Sequence, residues 1–145
     1  MAVAPIWWRA RGQLGMYADA APHIDHATRN ARVLARRAVS GLRAAEPVPA
    51  ALPASVDALA EAVRRLHAEL ERGEVPAAAR RQMVEAARQS GMAYAAGVGF
   101  SGSVVVAQVG SVAVDLLRAS GLDEPTALRV VRRLRREAEA ATHRR

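Results

Sequence analysis

The sequence contains no cysteine and no lysine, and it has very few aromatic residues. Without cysteine, disulfide bonds, thiol nucleophiles and cysteine-ligated zinc are excluded, and an oxidising compartment gains no support. Only 3% of the residues are aromatic, and the hydrophobic 51% is mostly alanine, valine and leucine. Small apolar side chains of this kind favour closely packed helices, and 145 residues suffice for one domain with a core.

All 21 basic residues are arginine, and with 14 acidic residues the net charge is +7. A bias toward GC-rich codons explains the lack of lysine as well as a binding function does. The positive excess lies in residues 23–45 and 129–145, whereas residues 46–124 contain more acidic than basic side chains. The basicity therefore belongs to two predicted helices rather than to the whole chain.

Two segments bear on membrane association. The first residues lack the basic and apolar regions of a secretory signal, so we expect no export. Residues 92–114 are uncharged and long enough to span a bilayer. Glycine, serine and glutamine dilute their hydropathy, so we interpret them as a loop followed by a buried helix, with a transmembrane helix as the alternative.

Residues 1–21 are predicted to be a separate N-terminal segment, and residues 22–145 a helical bundle domain. The N-terminal segment combines adjacent aromatic and basic residues that suit a membrane–water interface, namely Trp7, Trp8, Arg9 and Arg11. The alternative is that the aromatic side chains dock on the bundle. Pro5 and Gly12 argue against one continuous helix before Gln13.

The first major helix is predicted from about Pro22 to Ala45, with Asp19 as a nearby cap. Its apolar seam repeats every three or four residues and comprises Ile24, Ala27, Ala31, Leu34, Ala38 and Leu42. A second stripe on the same helix is basic and comprises Arg29, Arg32, Arg36 and Arg43. A proline-rich run over residues 46–53 ends this helix.

Four further helices are expected, each bounded by a recognisable start or stop signal. Ser55 is predicted to cap the second helix, which has heptad-spaced Val56, Leu59, Val63, Leu66 and Leu70 and stops at Gly73. The third runs from Pro76 to Gly91, with an apolar face of Ala79, Met83, Ala86 and Ser90. A glycine-rich connector follows, and the fourth runs from about Ser103 to Ser120, before Gly121. Asp123 is predicted to cap the fifth, whose inward residues are Leu128, Val131, Leu134 and Ala138.

Short connections marked by proline or glycine force successive helices to pack side by side. The sequence therefore predicts an all-α antiparallel bundle of four to five helices.

One polar stripe crosses the otherwise apolar fourth helix and comprises Gln108, Ser111, Asp115 and Arg118. Three interpretations are open: a solvent-facing edge, a ligand or catalytic site at Asp115, or a buried polar network. In the network, Asp115 pairs with a first-helix residue, because a buried charge needs a partner. The candidate partners are Arg29, Asn30, Arg32 and Arg36.

Motifs for enzymatic chemistry are weak. Residues 97–102 read G-x-G-x-x-G, but helices surround them and no strand precedes them. His23 and His26 could share a helix face with Asp19 or Asp25, although histidines near a predicted helix start are more often exposed. No serine nucleophile has a recognisable histidine and acid partner. We expect a non-enzymatic protein without cofactor or metal.

Several motifs together resemble the C-terminal cytoplasmic region of bacterial FUSC-like (fusaric acid resistance, aromatic acid exporter) membrane proteins. They are residues 7–12 (WWRARG), 25–36 (DHATRNARVLAR), 46–49 (EPVP), 105–118 (VVAQVGSVAVDLLR) and 121–123 (GLD). The resemblance implies a cytosolic helical domain at the inner face of the plasma membrane. It implies as partners the membrane portion of such a protein or further copies of the chain, with a small aromatic acid as a conceivable ligand.

Two functions from different classes follow. The leading expectation is an accessory or assembly domain of a FUSC-like exporter. The alternative is a free-standing arginine-rich module that binds nucleic acid or anionic lipid without sequence specificity. Its contact residues would be Trp7, Trp8, Arg9 and Arg11, together with Arg129, Arg132, Arg133, Arg135 and Arg136 of the last helix.

Overall fold

The structure is a computed structural model that describes the backbone of residues 4–142 and the side chains of residues 11–141. Over this range the chain forms helices and no strands, which confirms the predicted all-α class. The helices are α1 (Ala4–Arg43), α2 (Ala51–Glu71), α3 (Ala77–Ala96), α4 (Phe100–Ala119) and α5 (Glu124–Thr142).

Helix α4 is the centre of the bundle, because it packs against each of the other four helices. Helix α1 lies antiparallel to α4: Gly41 approaches Ser101 at the start of α4, and Asn30 bonds to Asp115 in its second half. On the far side of α4, α3 packs against both α2 and α5. Within the described residues α1 contacts neither α3 nor α5 and touches α2 only slightly, so it is the peripheral helix.

The core is built from alanine, valine and leucine, as the composition predicts. Its most completely buried large side chains are Met83, Val109, Leu116 and Leu117. Burial of each such side chain contributes about 1.5–3 kcal/mol to folding. Because most neighbouring core positions are alanine, the helices approach closely and their shape complementarity replaces aromatic bulk.

Glycines after α2 and α4 end these helices as predicted. Gly73 and Gly121 both have a left-handed φ, at +65° and +97°. The amides at and after each glycine donate to carbonyls of the last helical turn. A side chain at either position would strain this conformation.

The predicted start of the first helix is wrong. Helix α1 is continuous from Ala4 and includes Pro5, Gly12 and Pro22, while Asp19 lies inside it rather than at a cap. Pro5 is in the first turn, where its missing N–H costs nothing. Gly12 lowers helix propensity without breaking the helix, and Pro22 removes a single hydrogen bond.

Two other predicted helix boundaries are wrong. Helix α2 begins at Ala51, so Ser55 is buried within it, and its hydroxyl donates to the Leu52 carbonyl at 2.6 Å. Gly91 does not end α3, which continues to Ala96 and leaves a connector of only residues 97–99. A Cβ at Gly91 would lie 2.8 Å from the Ala138 Cβ. This glycine permits the close approach of α3 and α5.

The predicted apolar seam of α1 is buried only in part. Ala27 and Leu34 are buried and Ala38 is half-buried, but Ile24, Ala31 and Leu42 are exposed. Because α1 packs mainly on one helix, only a narrow strip of its surface is covered. The rest of the apolar seam faces outward.

Candidate functional site

The polar stripe of α4 meets α1 at a partly buried hydrogen bond. The side-chain amide of Asn30 donates to Asp115 Oδ2 at 2.8 Å, and Asp115 is only 8% exposed. The structure thus places Asp115 in the interface between α1 and α4, with a neutral amide as its partner. The bond joins residues 85 positions apart in the sequence and so fixes the position of α1 along α4.

The arginines of α1 do not reach Asp115. Arg29 pairs with Asp25 of its own helix at 2.6 Å, and Arg32 and Arg36 are exposed. The long guanidinium side chains at these positions remain in water and so avoid the cost of desolvation. The basic stripe of α1 is therefore a solvent-facing surface.

The remaining stripe residues have separate surroundings. The Ser111 hydroxyl donates to the Ala107 carbonyl one turn earlier at 3.2 Å, and Arg118 lies 3.5 Å from Glu124 of α5. The side-chain oxygen of Gln108 is buried without a hydrogen-bond partner in the described residues. The four side chains share a face but do not form one connected network.

A polar cleft of about 400 Å³ lies over this face, in the gap that separates α1 from α5. Its floor is α4, and its polar lining comprises Asn30, Ser90, Ser111, Asp115, Arg118, Glu124, Arg132 and Arg135. Sequence analysis missed that Arg132 and Arg135 of α5 join the α4 stripe. Which side chains of α5 lie beside α4 depends on how the two helices pack, and a sequence pattern does not determine that packing.

The arginines of the cleft are partly neutralised by the protein itself. Arg118 has Glu124, whereas Arg135 bonds Glu139 at 3.1 Å and lies over the Tyr94 ring, 5.1 Å from its centre. No histidine or cysteine lines the cleft among the described residues. The arrangement offers hydrogen-bond donors to a polar molecule and contains no nucleophile paired with a base.

Two carboxylates hold the first turns of α3 and α4. Glu69 accepts from the amides of Ala78 and Ala79, each at 2.9 Å. Glu46 accepts from the amides of Ser101 and Gly102 at 2.9 and 3.2 Å. In both cases a glutamate from another segment satisfies amides that the helix leaves free and places negative charge at the positive end of the helix dipole.

The Glu46 contact excludes a phosphate site at the G-x-G-x-x-G motif as it stands. The amides that would receive a phosphate already bond to a carboxylate. Gly99 has no side chain where the Glu46 carboxylate lies, since a Cβ there would collide with it. The packing of the glutamate cap thus explains Gly99, whereas Gly97 has a left-handed φ of +94° and a Cβ at Gly102 would meet Val98.

An apolar cavity of about 310 Å³ lies beside this cap, between the C-terminal half of α1, the first turns of α2 and the start of α4. Its apolar lining includes Leu34, Leu42, Val48, Leu52, Val56 and Val105. Charged groups at its border are Arg37, Glu46 and Asp57, and the Arg37 guanidinium lies over the Phe100 ring at 5.8 Å. The volume is that of a small organic molecule.

The chain matches no family profile, no curated protein and no solved structure.

The predicted contact residues are described in part. The side chains of Trp7, Trp8 and Arg9 lie outside the described residues, and Arg11 is exposed. On α5, Arg129, Arg132, Arg133 and Arg136 are all exposed. A hydrogen bond from Arg133 to Glu137 at 2.7 Å raises the pKa of Arg133 and offsets part of the positive charge.

The suggested histidine site does not assemble. His26 is exposed, and the buried Nδ1 of His23 has no hydrogen-bond partner in the described residues. Within residues 11–141 no three histidine, aspartate or glutamate side chains group as metal ligands do. Among the described residues, α4 is long and apolar enough to cross a membrane, but a core helix at the centre of a bundle meets the same criteria.

Proposed function

We propose that the chain is a non-enzymatic assembly domain, which holds copies of a larger protein together through its longest helix. The observation that carries this proposal is an exposed apolar surface along α1. This surface, the α1 stripe, comprises Leu14, Tyr17, Ala21, Ile24, Thr28, Ala31, Ala35, Val39 and Leu42, all of them exposed.

The exposure of the large members of the α1 stripe is substantial. Leu14 and Leu42 are 69% and 67% exposed, and Tyr17, Ile24 and Val39 are 39%, 37% and 47% exposed. Isolated apolar side chains on a surface need no explanation, but a stripe that follows one helix for nine positions is typical of an interface. The spacing of three and four residues is the pattern with which helices pack against each other.

The polar groups of the interior support a structural and not a catalytic role. Asp115 bonds Asn30 between two helices, and Glu46 and Glu69 hold helix ends. Groups committed to such bonds cannot exchange protons with a substrate without weakening the fold. A binding and assembly function requires no change in these hydrogen bonds.

The resemblance to the cytoplasmic region of FUSC-like exporters extends the proposal to location. In this hypothesis the domain lies in the cytosol at the plasma membrane, attached to or recruited by the membrane portion of such a protein. Trp7, Trp8 and Arg9 would then approach the headgroups, and the apolar cavity would be a binding place for a small aromatic acid. The cavity's volume of about 310 Å³ and the Arg37 guanidinium at its border support that ligand class.

Sedimentation equilibrium of the full chain tests the assembly function. We expect concentration-dependent association at tens of micromolar, weakened at least tenfold by Ile24→Ser combined with Leu14→Ser. The matched control is Val75→Ser, which removes a 70% exposed apolar side chain from the connection between α2 and α3. A monomer at all concentrations, or equal effects of stripe and control variants, would refute the proposal.

A further inference from the structure

We propose that the α1 stripe pairs with the α1 stripe of a second copy, antiparallel, with the two-fold axis passing beside Thr28. This inference depends on the assembly function proposed above and adds the partner, the direction and the register. It rests on the order of side chains in the stripe, on the hydroxyl contact of Thr28 and on the charges beside the stripe.

Seven of the nine stripe residues are placed symmetrically by size about Thr28, and the exceptions are Ile24 and Ala31. In an antiparallel pair centred on Thr28, each residue lies level with the residue equally far on the other side of position 28. Leu14 then meets Leu42, Tyr17 meets Val39, and Ala21 meets Ala35. Large side chains therefore contact large ones at both ends, about 42 Å apart along the helix, and small ones meet towards the middle.

The centre of the stripe is suited to close approach of two helices. The Thr28 hydroxyl donates to the Ile24 carbonyl of its own helix at 2.8 Å, which satisfies its polar group within the chain. Ala31 and Ala35 are the next stripe residues on one side and Ala21 lies near on the other. Ile24 packs over the small residues of the partner, so knobs and holes alternate across the interface.

Charges beside the stripe favour the same register. Asp25 and Arg32 each follow a stripe residue, seven positions apart, so both lie on the same edge of the stripe. Asp25 already pairs with Arg29 of its own helix. In the antiparallel pair it is also one residue from level with Arg32 of the other copy, and the two-fold axis creates this contact twice. A parallel pair would instead set this edge of one helix against the opposite edge of the other, so Asp25 would not meet Arg32.

Introduced cysteines test the register, because the chain has none of its own. We expect Thr28→Cys to form a disulfide-linked dimer under mild oxidation. Leu14→Cys and Leu42→Cys should each remain unlinked alone and cross-link when the two variants are mixed. The control is Ser40→Cys, an exposed position off the stripe whose hydroxyl only contacts its own helix.

The possible outcomes separate the two proposals. A monomer in sedimentation removes both the assembly function and the α1 pair. A dimer in which Thr28→Cys does not link, or in which Leu14→Cys links to itself, retains assembly and overturns the antiparallel register. A charge exchange adds a second readout: Asp25→Arg should weaken dimerisation by about tenfold, and adding Arg32→Asp should restore most of it.

Discussion

At the scale of single residues, the contact between Asn30 and Asp115 decides where α1 sits. A buried carboxylate is costly unless it is hydrogen-bonded, and the amide of Asn30 supplies one of those bonds. Sliding α1 by one turn along α4 would separate the two groups and leave the largely buried Asp115 without this donor. The pair therefore specifies register more than it adds net stability.

The direction of this hydrogen bond can be reversed by exchanging the two residues. We expect Asn30→Asp to destabilise the fold by about 1.5–3 kcal/mol, because it sets two carboxylates against each other and removes the donor. Asp115→Asn added to this variant places the donor on α4 and the carboxylate on α1, and should recover at least half of the loss. Urea denaturation at neutral pH measures both changes.

Additive losses in the double variant would show that the two side chains do not interact. Glu74→Gln is a useful reference, since Glu74 pairs with Arg72 on an exposed surface outside α1 and its loss should change stability little.

Sequence patterns predicted some residue roles and missed others for a common reason. Of the predicted heptad residues, Leu59, Leu66 and Leu70 are buried, because a regular apolar spacing follows from the helix itself. Val56 is only half-buried and Val63 is 48% exposed. Gly91 resembled a helix stop, but its role depends on Ala138 of another helix. A single residue type cannot distinguish a turn from a close contact before the packing is known.

At the scale of helices, ends are held by partners that are remote in sequence. Glu46 is 55 residues from Ser101, and Glu69 is 10 residues from Ala79. Arg80 acts at the opposite end of α4, where its Nε donates to the Ser120 hydroxyl at 2.9 Å.

The sequence alone could indicate only local end signals. One is Asp123, whose carboxylate accepts from the Thr126 amide at 3.3 Å. The Thr126 contact lowers the pKa of Asp123.

The glutamate cap of α3 should be measurable. We expect Glu69→Ala to reduce the free energy of unfolding by about 0.5–2 kcal/mol, because two amides at the start of α3 lose their acceptor. Glu69→Gln keeps an acceptor oxygen but loses the charge that favours the helix N-terminus, so its loss should be smaller. Thermal and urea unfolding report the difference.

The neighbouring Glu71→Ala is the matched control, because Glu71 is exposed and its carboxylate only approaches His67. It should unfold close to the parent chain. If Glu69→Ala and Glu71→Ala were equally stable, the bonds to Ala78 and Ala79 would contribute nothing and the cap would not hold α3.

At the scale of the whole molecule, α1 differs from the other helices in its length and in its packing. It is 40 residues long against 19–21 for the others, and it packs mainly on α4. Its exposed apolar stripe and its exposed arginines lie on adjacent faces, so one helix presents both a helix-pairing surface and a basic surface. The bundle was predictable from periodicity, whereas the peripheral place of α1 was not, since it depends on which helix covers which face.

The basic surfaces allow a final test that separates the assembly domain from a nucleic-acid-binding module. Trp7 and Trp8 are the only tryptophans, so their fluorescence reports on the N-terminal segment alone. We expect it to shift to the blue with vesicles containing anionic lipid and not with zwitterionic vesicles, as aromatic side chains enter the interface beside Arg9 and Arg11.

Binding to nucleic acid is the second part of the test. Arg132→Gln with Arg136→Gln should weaken binding to any duplex equally and reduce the salt dependence of that binding, because phosphate contacts carry no sequence information. A nanomolar complex with one preferred DNA sequence at physiological salt would overturn the assembly proposal, because it would require base-edge contacts that this exposed arginine surface was not expected to make.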